Sequence, residues 1–91
     1  MIYNVTFSPK ARTGLKALKK KEPHAYKKAT KLIEELQEHP ETGTGHPKPL
    51  GDNRVGQWSR RITYKHRLVY IIKNDCVEVL VLSTFGHYDD K

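Results

Sequence analysis

VGQWSRRITYKHRLVYIIKNDCVEVLVLSTF, residues 55–85, decides the fold. Three strand-like runs fill it: Val55 to Thr63, His66 to Lys73 and Val77 to Phe85. Only short turn-forming stretches separate them, near Tyr64-Lys65 and at Asn74-Asp75. Connections that short join antiparallel neighbours. The last run is apolar on both faces, apart from Glu78, which fits a central place in the sheet.

Upstream, Ile2 to Phe7 alternates and reads as one more strand. Ser8-Pro9 follows, an N-cap serine and a proline suited to the first helical turn. Ala11, Leu15 and Leu18 share one face of that helix, and Lys19-Lys20-Lys21 closes it where cations suit the dipole. Gly14 allows close packing there. A second helix starts at Pro23 and runs to about Glu38, with an apolar stripe of Tyr26, Ala29, Leu32, Ile33 and Leu36. His39-Pro40 ends it, and Glu41 to Arg54, rich in glycine and proline, reads as a loop. The predicted architecture is α+β, in the order β-α-α-β-β-β. A helical hairpin packs on one face of a twisted, mainly antiparallel sheet. All 91 residues form a single domain, 1–91.

The net charge is +7, from 17 Lys and Arg against 10 Asp and Glu. A small domain this basic attracts polyanions, nucleic acid above all; an acidic protein partner is compatible with that. No apolar run reaches the length of a membrane span, so no membrane role is expected. The N-terminus lacks the basic, apolar, small-residue order of a secretory signal. The lone Cys76 has no internal partner. Together these point to the cytoplasm.

Five histidines, His24, His39, His46, His66 and His87, show no metal-ligand spacing. There is no phosphate-binding glycine loop either, so neither metal nor cofactor is expected. What remains is a cluster of cations and bases: Arg60 and Arg61, His66-Arg67, and Gly86-His87-Tyr88. Antiparallel strands can bring these onto one surface. Metal-free RNA cleavage needs a base for the 2′-hydroxyl, cations for the phosphate and an acid for the 5′ oxygen. Histidine suits proton transfer near neutrality, and arginine's fork suits phosphate. Tyr88 suits stacking on an unpaired base. Taken singly, each has a plainer reading: strand arginines are usually solvated or ion-paired, and Trp58 reads as core. In the second helix Lys27, Lys28 and Lys31 precede Glu34, Glu35 and Glu38, the reverse of the order the dipole favours. Lys31 pairing with Glu34 or Glu35 would offset this slightly. Lys27 and Lys28 are therefore expected to extend a polyanion-binding surface.

GHPKPL (45–50), GQWSRRI (56–62), HRLVY (66–70) and the final His87-Tyr88 resemble the YoeB/Txe branch of the RelE/ParE toxin superfamily. The resemblance covers about half the chain by motif. It implies a microbial RNase fold, ribosome-dependent cutting of messenger RNA in the A site, and a cognate antitoxin protein encoded alongside. It also implies dimers in many members. By position, Arg61 and Arg67 match active-site arginines, His87 a general acid and Tyr88 a terminal substrate-holding tyrosine. Arg60 and His46 are taken as substrate-binding neighbours.

Lys48 departs from the pattern, which has a glutamate there as general base. The resemblance to lysine-using relatives makes Lys48 a base or a phosphate clamp. His46 and Glu41 in the same loop are the alternative bases. Asp89-Asp90-Lys91 extends past the usual end, and its acids favour a protonated His87. The register of the first hairpin is open. A two-residue turn at Tyr64-Lys65 sets Arg67 opposite Ile62, on the face of Arg60; a longer loop or bulge sets Arg67 with Arg61. Two rival functions remain: a ParE-like gyrase poison, and a nucleic-acid or antitoxin-binding module without catalysis.

Overall fold

The computed structural model describes residues 2–50, 56–73 and 78–83. The chain runs β1 (Asn4–Phe7), α1 (Pro9–Lys21), α2 (Pro23–Leu36), β2 (Lys48–Pro49), β3 (Gln57–Arg61), β4 (Arg67–Lys73) and β5 (Glu78–Ser83). The five strands form one sheet in the order β1-β5-β4-β3-β2. β5, β4, β3 and β2 pair antiparallel in succession, whereas β1 pairs parallel to β5. The α+β class and the order of the expected elements stand as read. The additional strand is β2, two residues inside the segment read as loop. The turn at Asn74-Asp75 lies outside the described residues.

α1 starts as its sequence dictates: the Ser8 hydroxyl accepts from the Ala11 N–H at 3.1 Å, with proline in the first turn. Glu22 ends α1 and also caps the start of α2, without a side-chain capping bond. Ala11 and Leu18 of α1 and Ala25, Ala29, Leu32 and Leu36 of α2 are buried together. Against them pack Ile62, Leu68, Tyr70, Val79 and Val81, with Val5, Phe7, Trp58 and Ile72 around them. Each fully buried leucine or valine contributes about 2 kcal/mol relative to exposure.

Strand alternation then assigns two faces. Trp58, Arg60, Leu68, Tyr70, Ile72, Val79 and Val81 share the helix-covered face. Ser59, Arg61, Arg67 and Val69 share the opposite one, and Lys48, paired with Ser59, joins them from β2.

Candidate active site

The open register resolves in favour of the longer loop: Arg61 pairs directly with Arg67, so both side chains leave the sheet on the same face. His66 supplies the reason. Expected as the first residue of its strand, it is instead a buried turn residue. The Ile62 and Thr63 N–H groups donate to its carbonyl at 3.0 and 3.2 Å. Its ring nitrogen Nε2 lies 2.7 Å from a Glu22 carboxylate oxygen. Anchored this way, His66 lengthens the turn and moves the pairing by one residue.

Arg61 is exposed and Arg67 half-buried. One strand further on, exposed Lys48 stands opposite Ser59. The short β2 ladder is held by Leu50 N–H to Gln57 O at 2.8 Å, and just before it the Arg61 N–H donates to Gly45 O at 2.7 Å. Three cations thus share the face away from the helices. His87 and Tyr88 lie outside the described residues. His46 is exposed in the loop leading to Lys48, with a left-handed backbone at φ 54°.

Arg60 departs from its expected role. Its side chain is fully buried on the helix-covered face. There Nε donates to the Tyr70 hydroxyl at 3.1 Å, and Nη1 to Glu35 Oε1 at 2.8 Å and Thr44 O at 3.4 Å. Nη2 donates to Thr42 O at 2.6 Å and to His39 O. Tyr70 in turn donates to Pro40 O at 2.7 Å. The guanidinium is committed to the loop backbone and to Glu35, and no substrate reaches it. It is a peg that fastens residues 39–44 to the sheet.

Two glycines let the chain pass over this peg. Gly43 has φ 116°, and a Cβ there would collide with Glu35 Oε1. Gly45 has φ 85°, and its Cβ would lie 2.9 Å from the Arg61 carbonyl oxygen. Burial works to raise the Glu35 pKa, but hydrogen bonds from Thr44 and Arg60, with the arginine's charge, hold it below its ordinary value. Tyr70 moves the other way: burial raises it, Arg60 opposes the rise, and the charge of Glu41 adds to it. Exposed Glu41 borders a surface hollow with Tyr3, Glu38, His39, Pro40 and Thr42.

Lys27 and Lys28 are exposed on α2 and belong to the helical layer, apart from Lys48, Arg61 and Arg67. With His24 and Lys31 they border a shallow groove that reaches Thr44. Glu35, one of the two expected partners of Lys31, is engaged by Arg60 and by the Thr44 N–H at 2.9 Å. Among the described residues Lys27, Lys28 and Lys31 form no ion pair, and no group of three or more His, Cys, Asp or Glu is placed to hold a metal. No described helix is long and apolar enough to cross a membrane.

Residues 7–88 match the family described as the YoeB-like toxin of bacterial type II toxin-antitoxin system. Toxin YoeB of Escherichia coli K12 is 44% identical over 62 residues, 68% of this chain and 71% of that protein. Among solved structures, a YoeB/ParE toxin from Agrobacterium tumefaciens superposes with a TM-score of 0.87 at 27% identity, over 93% of this chain and 99% of that one. A YoeB dimer from Staphylococcus aureus gives 0.82 at 31% identity, over 97% and 100%. A heterotetrameric YoeB-YefM toxin-antitoxin complex from the same organism gives 0.80 at 31%, with the same coverage.

Proposed function

This chain belongs to the YoeB-like toxins of bacterial type II toxin-antitoxin systems, and from that premise we propose that it is a metal-independent endoribonuclease. Its substrate in this reading is messenger RNA in the ribosomal A site. The observation that carries the proposal is the Arg61–Arg67 pair, with Lys48 one strand away on the same face. Two guanidinium forks and an ammonium suit a phosphate whose charge grows during cleavage. The 2′-hydroxyl oxygen attacks the adjacent phosphorus as its proton passes to a base. The bond to the 5′ oxygen breaks, and that oxygen takes a proton from His87. Tyr88 holds the RNA beside it. Lys48 in its neutral form, His46 and Glu41 are the three candidate bases within this loop. A pH–rate profile separates them, since free glutamate titrates at about 4.3, free histidine at about 6.5 and free lysine at about 10.4.

Cytoplasmic action, inhibition by a cognate antitoxin protein, and a homodimer as one assembly belong to the same reading. The YefM complex and the dimer of the Staphylococcus aureus relative support the last two. Lys27 and Lys28 add a second cationic surface for ribosomal or messenger RNA.

Purified protein added to programmed ribosomes tests the proposal. Cuts should fall at the A-site codon. His87→Ala should abolish them, and Arg67→Ala should slow them by about 100-fold, the scale of losing one charge-stabilising donor. Intact message overturns the proposal; stalled gyrase in its place indicates a ParE-like poison, and neither effect indicates a binding module.

A further inference from the structure

Ser59 lies at the centre of the cationic face. Lys48 stands opposite it on β2, Val69 opposite it on β4, and Arg61 two residues along β3. The side chain is fully buried, and its Oγ has no hydrogen-bond partner. It is the one such orphan among the buried side-chain polar atoms of the described residues. A buried hydroxyl without a partner is worse for the folded state than a methyl group in the same place. Alanine would fill nearly the same space, so volume alone does not explain serine.

We propose that Ser59 is a positioning residue whose hydroxyl accepts a hydrogen bond from the Lys48 ammonium when RNA occupies the face. This rests on the ribonuclease reading above. Lys48 is the nearest candidate, because directly opposed residues have the closest Cβ atoms on a sheet face. Val69 offers no polar atom. Lys48 is exposed on a two-residue edge strand, and its long side chain has many rotamers to lose. A phosphate bridging Lys48 to Arg61 and Arg67 draws the ammonium inward over Ser59. The hydroxyl then gains its partner, and the ammonium gains a fixed position. The free protein carries the unpaired group, and the bound state pairs it.

The test combines stability with a double-mutant cycle on the full-length chain: wild type, Ser59→Ala, Lys48→Met and both together. Urea unfolding of Ser59→Ala should show a higher midpoint than wild type. Ribosome-programmed cleavage by the same variant should lose at least about tenfold in kcat, with KM little changed, as for a misplaced catalytic group. In the Lys48→Met background the serine substitution should have no further effect on cleavage. A lower urea midpoint would mean that the hydroxyl already has a partner in the free protein, and would overturn the proposal. Unchanged cleavage by Ser59→Ala, or additive losses in the double variant, would overturn it too. A wild type that leaves message intact removes the ribonuclease reading and this inference with it; a wild type that cuts as well as Ser59→Ala removes the inference alone.

Discussion

Arg60 and Arg61 are adjacent and chemically identical, yet one is a structural peg and the other a surface cation. Alternation in a strand requires one to point each way, and the neighbours determine which. Trp58 and Ile62 share the parity of Arg60, and both pack into the core. That parity was present in the sequence, and it marks Arg60 as the inward one. The acceptors were not legible, because Glu35, His39, Thr42 and Thr44 come from a helix and a loop more than 15 residues away. Arg60→Met should therefore lower the unfolding free energy by about 3 kcal/mol, since it removes a buried ion-pair partner from Glu35 and the donor to three loop carbonyls. Urea denaturation measures it. A loss below about 0.5 kcal/mol, typical of surface changes, would show that the peg is dispensable.

At the scale of elements, the helical hairpin could be read closely, because its caps and apolar spacing are local signals. β2 could not: two residues with a proline carry no strand pattern, and only pairing with Ser59 and Trp58 makes them one. The contact made at the join between α1 and α2 was equally hidden. Glu22 sits there, and its carboxylate turns away from capping α2 to meet His66 at 2.7 Å, with Lys65 at 4.0 Å. The hydrogen bond to His66 is the main reason that the Glu22 carboxyl titrates below its ordinary 4.5. A depressed carboxyl pKa means that the unfolded chain binds the proton first as pH falls. The stabilising contribution is thus complete above about 4.5 and disappears as pH drops through the lower folded value. Melting temperatures from pH 6 to pH 3 should fall on the acid side, and Glu22→Gln should flatten part of that fall. An unaltered acid limb in the variant would sever the link between this pair and stability.

Across the whole molecule, positive charge is divided between two surfaces on opposite layers. Lys48, Arg61 and Arg67 share the sheet face away from the helices, and Lys27, Lys28 and Lys31 occupy the outside of α2. The net charge was legible as a polyanion signal, whereas its division depended on the register that His66 sets. Reversing charge with Lys27→Glu and Lys28→Glu should weaken binding to ribosomes. It should also reduce the log–log salt slope by roughly one per lysine that contacts phosphate. Identical affinity and slope would exclude α2 from the interface. The parallel pairing of β1 with β5 carries a consequence in time. Asn4 lies beside Glu78, and Phe7 beside Val81, so the first strand made waits for the last. Until residues 78–83 have left the ribosome, a growing chain lacks β5, the strand that joins β1 to the rest of the sheet. Closure between the two ends of a chain is slow, because loop entropy opposes it before any contact rewards it. Arg67 of the cationic face sits on β4, which pairs with β5 along its other edge. The helical hairpin therefore gains its full five-stranded sheet only once β5 is in place.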